Sequence, residues 1–243
     1  MKTEVSAIYP AFQGEQNEWG IGEPVIFLRL SFCHLRCYLS TLGTLCDTPE
    51  ALEKGSGKEM SIPEIIAVLD VISEAMGGVK RICLTGGDPL ARPKEFLHAL
   101  FQELGKAQYN VSVETSGTID PTPYFIYNRV SWVLDYKGKS TGVKQRSIVP
   151  DVLEEMSARD FVKFVIFDEE DYNEMLAVIN PWTNHQAQIV AGIYQGAPCK
   201  LDTLTLFNWL VRDSLLGKVK INMQTHKFAV PDYFINPEKY VKI

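Results

Sequence analysis

Pro24-Val25-Ile26-Phe27-Leu28-Arg29-Leu30 runs straight into Ser31-Phe32-Cys33-His34-Leu35-Arg36-Cys37, an apolar segment followed by a cysteine loop. The run is broken only by Arg29 and reads as a buried strand. The same arrangement recurs along the chain. Arg81-Ile82-Cys83-Leu84 leads into Thr85-Gly86-Gly87-Asp88, and Val111-Ser112-Val113 into Glu114-Thr115-Ser116-Gly117. Ser131-Trp132-Val133-Leu134 leads into Asp135-Tyr136-Lys137, and Lys218–Met223 into Gln224-Thr225-His226-Lys227. Phe161–Ile166 and Gln188–Ala191 are further β-rich runs.

Helical segments lie between these strands. Ser61-Ile62-Pro63-Glu64 is a capping box with proline near the first turn. Ile62, Ile65, Ile66, Leu69 and Ile72 then recur at helical spacing until Gly77-Gly78. Glu95–Leu104 and Glu169–Ile179 are also helical, and Asp202 caps a helix expected to reach Leu215. Such alternation specifies an α/β fold on a mostly parallel sheet, whose six or seven strands fall short of a closed eight-stranded barrel. Parallel α/β folds place their chemistry at the carboxyl ends of strands, so the five polar clusters should meet on one rim. Phe12-Gln13-Gly14-Glu15 reads as a polar lead-in and Gly55-Ser56-Gly57-Lys58 as a flexible stretch. With no repeat and no linker, residues 1–243 are expected to form one domain.

Composition narrows the function. The 243 residues carry a net charge of −6, which gives no general grip on nucleic-acid phosphates. No apolar run approaches the roughly 20 residues that span a bilayer, and Met1-Lys2-Thr3-Glu4-Val5 lacks a secretory signal, so a cytoplasmic protein is expected. Of the five cysteines, Cys33, Cys37 and Cys46 cluster, whereas Cys83 and Cys199 stand apart as a buried small hydrophobe and a loop thiol. Thiolates suit zinc or an iron–sulfur cluster. Zinc would need His34 or a distant fourth ligand, and a [4Fe–4S] cluster on three cysteines leaves one iron open. In enzymes that cleave S-adenosylmethionine, that open iron binds the methionine end, and a 5′-deoxyadenosyl radical is released. The spacing C-x3-C-x8-C alone leaves both metals possible.

Several motifs in one order carry a family resemblance: Gln13-Gly14-Glu15, Phe27-Leu28-Arg29-Leu30 before Cys33, Cys46-Asp47-Thr48, Thr85-Gly86-Gly87-Asp88-Pro89-Leu90, Glu114-Thr115-Ser116-Gly117-Thr118 and Met223-Gln224-Thr225-His226-Lys227. From about residue 8 to residue 228 the chain resembles the 7-carboxy-7-deazaguanine synthases, radical S-adenosylmethionine enzymes of queuosine and related deazapurine biosynthesis. The resemblance implies an incomplete TIM-like barrel of about six parallel strands with few flanking helices. It implies a lyase that converts 6-carboxy-5,6,7,8-tetrahydropterin to 7-carboxy-7-deazaguanine with loss of ammonia, using a [4Fe–4S] cluster, S-adenosyl-L-methionine and Mg²⁺. It further implies a homodimer served by flavodoxin or ferredoxin, with no nucleic-acid or membrane partner. Two departures stand out. The usual third cysteine of such loops would fall at Ser40, so Tyr38–Leu45 is an insertion, and Asp88 replaces the commoner glutamate.

Carried onto this sequence, the resemblance makes Cys33, Cys37 and Cys46 the cluster ligands and Thr48 the Mg²⁺ contact, although Thr48 before Pro49 equally suits a turn. Gly86-Gly87-Asp88 would receive the methionine ammonium, or be an ordinary tight turn. Ser116, Asp135 and Lys137 would meet the ribose hydroxyls and carboxylate of S-adenosylmethionine, or be a solvated strand end. Gln13, Glu15, Arg29, Thr85 and His226 form the substrate set. Arg29 offers a bidentate fork to the pterin carboxylate, and an arginine within an apolar strand is costly unless paired. Two competing readings are a radical activase of a partner protein and a zinc-stabilised binding protein.

Overall fold

The computed structural model describes residues 1–39, 44–46, 48, 51–143, 147–181, 185–194, 199 and 201–225. Along them run β1 (Lys2–Phe12), β2 (Pro24–Leu30), the two-residue β3 (Tyr38–Leu39) and β4 (Thr44–Leu45), and β5 (Lys58–Ser61). Next come α1 (Ile62–Ala75), β6 (Arg81–Gly86), α2 (Lys94–Lys106), β7 (Asn110–Thr115), β8 (Val130–Tyr136) and the single-turn α3 (Val149–Val152). The chain continues with β9 (Phe161–Ile166), α4 (Glu169–Ile179), β10 (Gln188–Ile193), α5 (Thr203–Arg212) and β11 (Val219–Ile221).

β2, β6, β7, β8, β9, β10 and β11 lie side by side in chain order and pair in parallel, seven strands among the described residues, within the six or seven expected. β1 and β5 extend the β2 edge in antiparallel sense. Among the described residues the sheet does not join β11 back to its other end, so the architecture is the expected α/β partial TIM-like barrel. Its outward residues, among them Leu28, Leu84, Val113, Trp132 and Val162, form one continuous core with α1 and α2 residues such as Ile65, Leu69, Leu97 and Leu100. The inward residues alternate with them, as the pleat requires. They are Phe27 and Arg29 on β2, Cys83 and Thr85 on β6, and Ser112 and Glu114 on β7, then Val133 and Asp135 on β8 and Phe161 and Lys163 on β9.

Helix starts follow local chemistry. Ser61 and Glu64 close the expected capping box, and Asp168 and Asp202 cap α4 and α5 through the N–H groups of Asp171 and Thr205. α5 ends at Arg212 rather than Leu215, and Ser214 has a positive φ of 57° that no helix continues through.

The Gly55–Lys58 stretch differs from the sequence expectation, and two further segments carry strands that the sequence pattern does not assign. The lead-in before Gln13 is the long strand β1. The Gly55–Lys58 stretch is held: a Cβ on Gly57 would lie 2.2 Å from Ser31 Oγ and 2.5 Å from the Val5 carbonyl, so glycine is there for close approach. At the two ends of the inserted Tyr38–Leu45 segment, Tyr38 pairs with Leu45 and Leu39 with Thr44 in antiparallel sense. That pairing brings the flanking Cys37 and Cys46 to neighbouring positions and so offsets their separation in sequence.

Candidate active site

Cys33 is buried, and Cys37 and Cys46 pack partly buried against the same apolar patch of Leu35, Leu52 and Val143. Burial, and after it the charges of Asp88, Cys37 and Cys46, push the Cys33 thiol up to about 11, so it rests protonated until a soft metal displaces the proton. The three thiols thus feel one another. Among the described residues, however, no three His, Cys, Asp or Glu side chains converge on the single point that one ion would occupy. A [4Fe–4S] cluster would take one iron on each of the three thiolates and leave the fourth iron open. Cys46 Sγ lies 3.4 Å from Thr48 Oγ1. Arg36 fixes the loop by donating to the Cys33 and Leu35 carbonyls, each at 2.8 Å.

The Gly86-Gly87-Asp88 turn abuts this loop. The Gly87 N–H donates to the Leu30 carbonyl at 2.8 Å, and that of Asp88 to the Phe32 carbonyl at 3.1 Å. Gly86 has φ 120°, and a Cβ there would sit 2.2 Å from Leu30 O; on Gly87 it would sit 2.2 Å from Phe32 O. Both glycines exist because the turn lies directly on the backbone that delivers Cys33. Gly87→Ala is therefore expected to cost about 3 kcal/mol or more in urea unfolding and to lower the iron retained after reconstitution.

Asp88 is fully buried, and its carboxylate is occupied by protein groups. Thr115 Oγ1 donates to it at 2.7 Å and the Leu90 N–H at 3.0 Å, and the Ser116 hydroxyl also donates. His34 stands 3.8 Å away and bonds Thr118 Oγ1 at 2.8 Å. Asp88 thereby ties the end of β7 to the cysteine loop. Ser116 is brought to the rim, as expected, with its hydroxyl on Asp88 and Thr118.

Behind the rim lies a buried ionic chain. Lys137 Nζ is 2.8 Å from Asp135 Oδ2, and Lys163 Nζ is 3.0 Å from both Asp135 Oδ1 and Glu15 Oε2. Glu15 also accepts from Asn222 Nδ2 at 2.9 Å and Gln224 Nε2 at 2.8 Å. Glu15 arrives on a loop that crosses the seam between the first and last strands, where the Gln16 N–H bonds Asn222 Oδ1 and the Thr225 N–H bonds the Gly14 carbonyl. Burial opposes ionisation of Glu15, but the Lys163 ammonium and the three donors prevail and hold it at about 2. Burial likewise works against the charged forms of Asp135, Lys137 and Lys163; their mutual attraction overcomes it, lowering the carboxylate and raising both ammoniums. Lys137 also feels Cys37, which links the chain electrostatically to the cysteine loop.

Gln13 is buried and donates to Glu114 at 3.4 Å, and the Cys83 thiol donates to the same oxygen at 3.2 Å. Burial and the nearby Glu15 charge raise the Glu114 pKa. Its contribution to stability is present below the unfolded pKa and is lost as pH rises through the raised folded value. Glu114→Gln is thus expected to unfold at higher denaturant than the parent at pH 7, with the gap closing on acidification toward the ordinary carboxylate range.

Arg29 and Thr85 are directly paired on the inner face, and Arg29 interacts with the Tyr9 phenol, itself stacked on Phe27 at 5.4 Å. Of the expected substrate residues, His226 lies outside the described residues. Lys163 and Asn222 were not anticipated, and Glu114, expected on the rim with Thr115 and Ser116, was given no role of its own; all three lie beside the expected residues. A signal for Lys163 was present: it stands alone inside Phe161-Val162-Lys163-Phe164-Val165-Ile166, as Arg29 does inside β2.

Comparison with known proteins agrees with this geometry. Residues 29–126 match the radical SAM superfamily. A 7-carboxy-7-deazaguanine synthase of Leptospira interrogans is 33% identical over 96% of this chain and 97% of its own. The chain belongs to the 7-carboxy-7-deazaguanine synthase family. A second member, from Koribacter versatilis, is 33% identical over 93% of this chain and 96% of its own. The fold of this family member also superposes on QueE from Escherichia coli with a TM-score of 0.66 at 21% identity, covering 93% of this chain and 95% of that one. As a radical SAM enzyme of the 7-carboxy-7-deazaguanine synthase family, it uses a [4Fe–4S] cluster and S-adenosylmethionine. Among the described residues no helix is long and apolar enough to cross a membrane.

Proposed function

We propose that this chain converts 6-carboxy-5,6,7,8-tetrahydropterin to 7-carboxy-7-deazaguanine with loss of ammonia. The observation that supports the reading most is the chain of Glu15, Lys163, Asp135 and Lys137 inside one barrel, beside a loop that carries three thiols. Cys33, Cys37 and Cys46 hold the cluster. The cluster and S-adenosylmethionine, when bound, supply a 5′-deoxyadenosyl radical able to take the hydrogen from the substrate's C6. The Gly86-Gly87 backbone receives the methionine ammonium, and Asp88 acts through Thr115 and Ser116 to shape that end. Lys137 meets the methionine carboxylate, and Asp135 and Ser116 meet the ribose hydroxyls.

On the substrate side, Glu15 is an acceptor at neutral pH and suits the donors of the pterin edge, while Gln13 supplies an amide beside it. Arg29 grips the substrate carboxylate, with Thr85 alongside and His226 as a further partner. Thr48 contributes a hydroxyl oxygen to Mg²⁺, whose remaining positions water and substrate fill. A homodimer in the cytoplasm, reduced by flavodoxin or ferredoxin, completes the reading.

Isotope transfer tests it. With substrate deuterated at C6, the label should appear at the 5′ carbon of recovered S-adenosylmethionine, and product should accumulate with it. Product formed with all the label lost to water would overturn hydrogen abstraction at C6.

A further inference from the structure

The ionic chain has a property beyond binding, resting on the reading just given. Glu15 faces the pterin and Asp135 faces S-adenosylmethionine, and the two carboxylates share a single ammonium. Lys163 reaches both at 3.0 Å, with its side chain only 10% exposed, so water cannot readily replace it on either side. Asp135's other oxygen holds Lys137 at 2.8 Å. An ammonium divided between two acceptors follows whichever is less satisfied. Once pterin donors occupy Glu15, Lys163 is committed to Asp135. Asp135 then draws less on Lys137, whose ammonium is released toward the methionine carboxylate.

We propose that Lys163 is a positioning residue that couples the substrate site to the cofactor site, so that the pterin tightens S-adenosylmethionine. By linkage the cofactor must tighten the pterin by the same factor. Among the described residues no other cation bridges the two acids. Lys137 lies on the far oxygen of Asp135, and Asn222 and Gln224 bond Glu15 without carrying charge.

The test measures the dissociation constant of S-adenosylmethionine on the reconstituted, oxidised holoenzyme, with and without saturating 6-carboxytetrahydropterin. No turnover occurs in that state. The parent enzyme should bind S-adenosylmethionine about fivefold or more tightly with pterin present. In Lys163→Met the two constants should be equal, and in Lys163→Arg, which keeps a cation able to reach both acids, the difference should be largely restored. If Lys163→Met fails to fold, Lys163→Gln serves, since it keeps hydrogen bonds to both acids but no charge. Undiminished coupling in a folded Met or Gln variant would overturn the proposal while leaving the functional reading intact. A parent enzyme that binds S-adenosylmethionine but no pterin would instead sink the substrate reading, and this inference with it.

Discussion

Replacing Cys46 by alanine should leave a folded chain that retains no intact four-iron cluster and forms no product. The side chain is small and half-buried at the border of the Cys33, Leu35, Leu52 and Val143 patch, so its loss should disturb packing by no more than about 0.5–1 kcal/mol. The metal consequence is of another order. With three protein thiolates the cluster has one open iron; with two, a second iron loses its anchor and the assembly is no longer held. Iron and sulfide content after anaerobic reconstitution, with the electron paramagnetic resonance signal of the reduced cluster, provide the readout. Cys83→Ala is the control. That thiol is fully buried on β6 and bonded to Glu114, so the variant should lose stability yet keep its iron. Full iron in Cys46→Ala, or iron lost equally in Cys83→Ala, would contradict the ligand assignment.

Glu15→Gln should lower kcat/KM for the pterin by roughly 10²–10³, equivalent to about 3–4 kcal/mol. The carboxylate is where the seam-crossing loop, β9 and the segment after β11 meet, through Lys163, Asn222 and Gln224. An amide keeps the shape, but it cannot accept from all three and leaves Lys163 with one acid fewer. Truncating one partner of a buried ion pair is costly chiefly because of the charge left behind. The change also alters the pH profile. Glu15 is held at about 2 against an ordinary 4.5, so its stabilisation is fully present above the unfolded value and is lost as pH falls through the folded one. Between about pH 4.5 and 2 the parent should lose stability more steeply than Glu15→Gln, as followed by circular dichroism. A parallel acid limb in the two proteins would show that Glu15 is not the paired acid described here.

Much of this was readable before any coordinates. Strands buried on both faces give continuous apolar runs, and those of β2, β6, β8 and β9 are of that kind, so their ends and the polar residues just beyond them could be placed closely. The capping residues Ser61 and Asp202 fixed two helix starts. β1 was missed because its residues, Lys2-Thr3-Glu4-Val5-Ser6-Ala7-Ile8-Tyr9, mix polar and apolar on an edge that is only partly covered. What makes it a strand is pairing with β2 and β5, a long-range fact invisible to local pattern.

The site was legible where chemistry follows a strand end and obscure where it sits within a strand. Ser116, Lys137 and the Gly87-Asp88 turn stand out by position after a strand, and Asp135 and Gly86 because the apolar runs stop just before them, although β8 and β6 continue through them. Lys163 does not, because only the pleat and register show that it points inward beside Asp135; Glu114 was placed in a strand-end cluster, but its contact with Gln13 is visible only in the structure. Asp88 could be located but not interpreted: its charge is spent on Thr115, Ser116 and Leu90, which only the geometry reveals. The spacing of Cys37 and Cys46, awkward in one dimension, becomes ordinary once Tyr38 pairs with Leu45.

The most direct measurement is turnover by the anaerobically reconstituted protein with dithionite, S-adenosylmethionine, Mg²⁺ and 6-carboxy-5,6,7,8-tetrahydropterin, with products resolved by mass spectrometry. Conversion to 7-carboxy-7-deazaguanine, dependent on both the cluster and S-adenosylmethionine, is the expected result. A protein that carries the reduced cluster and cleaves S-adenosylmethionine while leaving this pterin unchanged would contradict it.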